Sequence, residues 1–162
     1  MLTGYRIAIH AAALVTIVFI TGLPALVQGA AAEPDETIAA LEARVADFLE
    51  GVSGGPPQSA YDELLAGSEL LKQKEALVEL VKQTAELDGK YGRYKGFERI
   101  AARRIGRDLV LMRYLYKCEN FPVVWYFAFY RTAGEGLTEN GDWRAVIVRF
   151  DTNLELLGFS PN

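Results

Sequence analysis

The chain has 162 residues, 51% of them apolar, with 17 Lys and Arg against 21 Asp and Glu for a formal net charge of −4. That is length for one domain with its own core, and the acidic balance excludes a protein that binds by neutralising a nucleic-acid backbone. A single histidine and a single cysteine exclude an internal disulfide framework and a zinc site built on His and Cys clusters.

Residues 1–32 read as a signal peptide. Arg6 is their only charge, residues 11–20 are apolar apart from Thr16, Pro24 breaks the helix, and Ala30-Ala31-Ala32 supplies the small residues a signal peptidase accepts. The apolar core is about ten residues, short of the ~20 that a helix needs to cross a bilayer. An uncleaved N-terminal membrane anchor is the alternative, because residues 23–32 are also mostly apolar. The expected address is therefore exported, periplasmic or extracellular. Cleavage would remove His10, the only histidine, and no cysteine stands near the cleavage site to take a lipid. Residues 33–58 read as an N-terminal helix and linker, and residues 59–162 as the main domain.

In residues 35–50, Ile38, Leu41, Val45, Phe48 and Leu49 recur at three- and four-residue steps, the stripe of an amphipathic helix that Asp35 can cap. Gly54-Gly55-Pro56-Pro57 marks residues 51–58 as the linker. Ser59 and Asp62 suggest a capping box for a short helix over 59–65, closed by Gly67. The spacing of Leu70, Leu77 and Val81 predicts one long helix over 68–88, with Lys72, Glu75, Glu79, Lys82 and Glu86 on its wet face and Gly89 as terminator.

After Gly92 the period changes to two. Residues 97–105 form a strand carrying Glu98, Arg99, Arg103 and Arg104, Gly106-Arg107 turns the chain, and residues 108–118 form a second strand. The run 121–130, Phe-Pro-Val-Val-Trp-Tyr-Phe-Ala-Phe-Tyr, has neither charge nor glycine. Apolar residues at odd and even positions mark it as a central strand covered on both faces. A polar loop over 132–142 ends in Asn140-Gly141, a further strand covers 143–150, and a short apolar tail follows at 154–159. Helices followed by a meander predict an α+β fold, with the N-terminal helices packed in a strongly curved antiparallel sheet.

If Glu119-Asn120 is a two-residue turn, Tyr114 lies opposite Trp125, Tyr116 opposite Val123 and Met112 opposite Phe127. That uncharged face, with Cys118 and Phe121, should pack on the helices. The other face carries Leu111, Arg113, Leu115 and Lys117 against Val124, Tyr126, Ala128 and Tyr130, with Arg113 at cation–π distance from Tyr126. An odd-length turn would exchange the two faces.

The motifs Tyr91-Gly92, Gly96-x-Glu98, Arg113-Tyr114-Leu115-x-Lys117-x-Glu119-x-x-Pro122-x-x-Trp125-x-Phe127-x-Phe129-Tyr130, Trp143 and Phe150-Asp151 together resemble small exported bacterial proteins of the nuclear-transport-factor-2-like superfamily. The resemblance covers about residues 60–155. It implies a cone, a bent antiparallel sheet wrapped around a long helix and open at one end. Ketosteroid isomerase, limonene epoxide hydrolase, polyketide cyclases and many non-enzymatic binding or dimerisation modules share that fold, so fold alone does not assign a function.

Isomerase-like chemistry needs a carboxylate base and a hydroxyl donor in an apolar pocket. Glu98, Glu119 and Tyr114 are the candidates, with Tyr116 and Tyr126 as further hydroxyls. A catalytic Glu98 or Glu119 would have a pKa raised by burial. Tyr114, Tyr116, Trp125, Arg113 and Lys117 form the candidate ligand-binding set, the tyrosines equally readable as core and Lys117–Glu119 as a surface ion pair. Residues 33–89 carry a net −9 and residues 90–117 a net +7. The basic block either takes an anion or pairs with the acidic helices, and pairing is the expectation for Arg99, Arg103 and Arg104. Cys118 reads as a buried apolar residue. No metal, cofactor or phosphate-loop motif occurs. The expected function is non-catalytic binding of a small apolar or amphipathic ligand, or of a partner, in an aromatic-lined cavity. The alternatives are an isomerase, cyclase or hydrolase, and a homodimerisation module using Tyr126 and Tyr130.

Overall fold

The computed structural model describes residues 35–132 and 142–155. The signal peptide expected over residues 1–32, the expected 132–142 loop between its end residues, and the expected apolar tail beyond Glu155 lie outside those residues. The described chain is α+β. Helices α1 (Glu36–Gly54) and α2 (Pro57–Leu64) lead into a 3₁₀ turn (Glu69–Lys72), then α3 (Lys74–Ala85) and α4 (Leu87–Tyr91). Strands β1 (Tyr94–Ile105), β2 (Leu109–Cys118), β3 (Val123–Thr132) and β4 (Asp142–Asp151) follow and form one open antiparallel sheet in the order β1-β2-β3-β4.

Helix α1 begins where expected. The Asp35 carboxylate accepts from the backbone N–H of Thr37 at 3.0 Å and of Ile38 at 3.4 Å, satisfying two orphan donors of the first turn. It runs four residues further than its apolar stripe predicts, through Gly54, and ends only at extended Gly55. Proline, not a capping box, starts α2: Pro57 occupies its first turn, where the missing N–H costs nothing, and the Ser59 hydroxyl donates back to the Pro56 carbonyl.

The single long helix expected over 68–88 is three pieces. The Ser68 hydroxyl accepts from Leu70 N–H and donates to the Ala145 carbonyl of β4, which ties this segment to the sheet as a 3₁₀ turn. Gln73, at φ −87° and ψ 61°, then leaves helical geometry before α3. Near the end of α3 the Thr84 hydroxyl bonds back to the Leu80 carbonyl at 2.8 Å, a contact that bends helices. Gly92, not Gly89, is the terminator: it sits at φ +85°, and a Cβ there would lie 2.8 Å from the Asn120 amide nitrogen and 2.9 Å from Glu119 Cβ. This close approach lets Asn120 N–H bond to the Tyr91 carbonyl at 2.9 Å and Glu119 N–H to the Arg93 carbonyl at 3.0 Å.

The β2–β3 register is the expected one, with Tyr114 opposite Trp125, Tyr116 opposite Val123 and Met112 opposite Phe127. The connection itself is longer than two residues, since β3 starts at Val123. Its surplus carries Phe121 out of the core: the ring is 40% exposed and tilts over Tyr91, centroids 6.2 Å apart. On the inner face, Val110, Met112, Tyr114, Tyr116, Val123, Trp125, Phe127 and Phe129 are all buried in one cluster with Leu41, Val45, Phe48 and Leu49 of α1 and Tyr61 of α2. Phe48 is the hub. Its ring meets Tyr61 at 4.9 Å, Trp125 at 5.2 Å and Phe127 at 5.7 Å, each edge-to-face.

Three register shifts re-aim the edge strands. Lys95 and Ile100 are the extra residues in β1, and Val146 is the extra residue in β4. Because Ile100 is inserted between them, Arg99 and Arg104 face the same side although an odd number of positions separates them. Both meet α1, Arg99 pairing with Glu42 and Arg104 holding Asp35 with two bonds of 2.7 and 2.8 Å. Arg103 falls on the opposite face, so the expected pairing of all three arginines with acidic helices holds for two of them. Arg44 of α1 adds a further tie: it donates to the carbonyls of Trp143 (2.7 Å) and Leu64 (3.1 Å) and lies over the Phe129 ring at 5.3 Å.

Two stability predictions follow from this packing. Phe48→Ala removes the hub ring and leaves a cavity, lowering stability by about 3–5 kcal/mol in a denaturant titration. The Arg104 guanidinium, assisted by the Ile38 and Thr37 N–H groups, holds the Asp35 carboxyl below its ordinary value against the opposing effect of burial. A depressed carboxylate stabilises the fold above its unfolded value, near ~3.9, and that stability is lost as pH falls through the folded value. The stability difference between wild type and Asp35→Asn, whose amide can still cap α1, is therefore full near neutrality and shrinks as pH drops below about 4.

Candidate functional site

The outer face of the sheet carries a groove of about 420 Å³, within the size range of small-molecule sites. Two adjacent cross-strand rows build it. In one row Arg103 pairs with Leu111, Leu111 with Ala128 and Ala128 with Ile147; in the next, Ala101 pairs with Arg113, Arg113 with Tyr126 and Tyr126 with Arg149. Alternation of side chains puts all eight on one face. Depth comes from residue size: Ala101 and Ala128 stand where larger neighbours flank them, and Ala128, at the bottom, is only 2% exposed. Leu111 at 37% and Ile147 at 47% form apolar flanks open to water.

Three guanidinium groups line this apolar trough. Arg149 lies over the Tyr126 ring, 4.1 Å from its centroid, and pairs with Asp151 at 3.1 Å. Arg113 stands across the strand from Tyr126 as expected. Arg103 is exposed and forms no ion pair among the described residues. The Tyr126 hydroxyl is buried and has no hydrogen-bond partner among those residues. Its pKa is raised, first by burial and then by Asp151, against the opposing pull of Arg149 and Arg113.

The expected ligand-binding set divides between the two faces. Tyr114, Tyr116 and Trp125 are at most 3% exposed and lie in the inner core. Burial is the first cause that pushes Tyr114 up to about 12 and raises Tyr116 as well. Arg113 belongs to the groove. Lys117 is on the outer face beyond it and pairs with Glu98 at 2.7 Å, not with Glu119. The two candidate bases are surface groups. Glu98 is 64% exposed, and its hydrogen bond with Lys117 lowers its pKa, the opposite of the shift a buried base requires. Glu119 sits in the β2–β3 connection between Arg93 (3.5 Å) and Lys95 (3.7 Å). Cys118 is partly buried, and burial pushes its thiol up. Among the described residues, no three His, Cys, Asp or Glu side chains converge to hold a metal ion.

Sequence reasoning placed Arg113, Tyr126 and Ala128 on one face but did not join Ala101, Arg103, Ile147 and Arg149 to them. The first two follow from pairing β1 with β2 directly across their turn, Ile105 opposite Leu109, and the last two require the bulge at Val146. The available signal was the pair of alanines inside strands otherwise rich in large residues. Comparison with family models, with curated proteins and with solved structures finds no match to this chain.

Two tyrosines make opposite predictions. Thr84 gives its own proton to Leu80, so the Tyr61 hydroxyl must donate to Thr84 Oγ1, 2.9 Å away. Tyr61→Phe therefore costs about 1 kcal/mol, whereas Tyr126→Phe deletes an unpartnered hydroxyl and leaves stability within about 0.5 kcal/mol of wild type. Equilibrium unfolding of the two variants checks both values.

Proposed function

We propose that this protein is a non-catalytic binding domain for a small amphipathic ligand, exported from the cell and built on the nuclear-transport-factor-2-like plan. The observation that carries the reading is the outer-face groove, with its floor of Ala101 and Ala128, its flanks of Leu111 and Ile147 and its polar groups at fixed register positions. Apolar walls with a few convergent polar groups are the usual make-up of a ligand site. The non-catalytic reading is supported by the surface positions of Glu98 and Glu119, each already held by cations. An exposed, paired carboxylate lacks the desolvation that makes a strong general base.

The cone-shaped plan is supported by the element order and by one contact between the sheet's two edges. Arg104 of β1 lies over the Trp143 ring of β4 at 5.4 Å, although three strand spacings of ~4.8 Å separate edges in a flat sheet. Export rests on the charge and hydropathy pattern of residues 1–32 and on Ala30-Ala31-Ala32. No helix among the described residues is long and apolar enough to cross a membrane.

The test uses Nile red, a neutral apolar dye whose emission rises in an apolar site. The protein as isolated from its own cells binds it, and Ala101→Trp, which fills the trough from the edge strand, weakens binding roughly tenfold or more while the thermal midpoint stays unchanged. Undiminished binding to a folded Ala101→Trp variant would place the ligand elsewhere.

A further inference from the structure

We infer that the groove selects an anionic amphiphile, a single carboxylate-type headgroup on an unbranched aliphatic body, over a neutral molecule of the same shape. This deepens the proposed binding function and rests on it. Arg103 on β1, Arg113 on β2 and Arg149 on β4 line the trough, and the Tyr126 hydroxyl, buried without a partner among the described residues, adds a neutral group. Guanidinium groups present paired N–H donors that match the two oxygens of a carboxylate. The nearby carboxylates leave Arg103 uncancelled among the described residues. Asp151 is taken by Arg149, and Glu98 is taken by Lys117. Arg103 keeps its charge exposed beside Leu111, so a headgroup there leaves its chain on apolar wall.

The inner face shows what the same chemistry looks like when it is structural. Arg99 and Arg104 leave the same strand toward α1, and each meets a carboxylate there, Glu42 and Asp35. Arg103, between them in sequence and opposite in direction, meets none among the described residues. The charge pattern also argues against a second copy of this chain as the occupant. A two-fold contact through this face would lay the three arginines of one copy against the same three of the other, and like charges brought together out of water oppose association.

Calorimetric titration of the protein as isolated from its own cells with decanoate and with decanol, at neutral pH and low ionic strength, tests the inference. The two probes share an aliphatic chain and differ in head charge. Decanoate is expected to bind about tenfold or more tighter than decanol. That advantage should fall as salt is raised, because salt screens exposed charges. Arg103→Gln, which breaks no ion pair among the described residues, should remove most of the difference between the two probes. Equal affinity for the two probes would overturn the inference while leaving the amphipathic-ligand reading in place. Failure of decanoate, decanol and Nile red alike would overturn both. Two further results overturn the inference alone: sedimentation with phosphatidylglycerol vesicles when monomeric decanoate does not bind, which assigns the face to a membrane surface, and a concentration-dependent dimer that decanoate does not dissociate, which assigns it to a second copy.

Discussion

The edge-on seat of the Phe48 ring among Tyr61, Trp125 and Phe127 is the contact on which the rest of the structure depends. It joins α1, α2 and β3 at one point and fixes which face of the sheet the helices cover. Once α1 is held there, its flanking polar residues have only one set of partners within reach. Asp35 at the first turn finds Arg104, Glu42 about two turns further along finds Arg99, and Arg44 reaches the carbonyls of Leu64 and Trp143. The edge-to-face contacts add about 0.5–1.5 kcal/mol each beyond area burial, and the ion pairs, partly exposed, contribute less. Apolar packing sets the arrangement and the charges follow it.

That order of causes explains the uneven fate of the basic block. Nine cations in residues 90–117 look equivalent in composition. The bulge at Ile100 sorts those of β1 by direction, sending Arg99 and Arg104 to α1 and Arg103 to the open face. A strand without that extra residue would put Arg99 and Arg103 on one side and Arg104 on the other. One inserted residue thus decides whether an arginine closes the core or lines the trough.

Much of the sheet was legible because its signals are local and redundant. An uncharged alternating face on 110–116 has one complementary partner, the aromatic run after it, and a connection of even length keeps that face together. The four-residue connection found has the same parity as the two-residue turn expected, which is why the register survives a mistaken turn. The helices were less legible for a related reason. Residues 68–88 contain no glycine or proline, and the break at Gln73 arises from the hold of Ser68 on Ala145, 77 positions away, which no local pattern encodes. The groove was the least legible part. Its eight residues come from four strands, and the bulge at Val146 had to be placed before they could be seen as two rows.

All three bulges of the sheet lie in β1 and β4, the two strands that have a neighbour on one side only. An open sheet offers its outermost backbone N–H and C=O groups to any extended peptide that drifts past. Here each such edge is interrupted by an extra residue, Lys95 and Ile100 on one side and Val146 on the other, and is studded with Arg93, Lys95, Arg103, Arg144 and Arg149. A stray strand would find neither an unbroken ladder to zip along nor a neutral flank to settle against. The irregularities that decide which side chains reach each face of the sheet also guard its rims against fibre-like growth at high concentration.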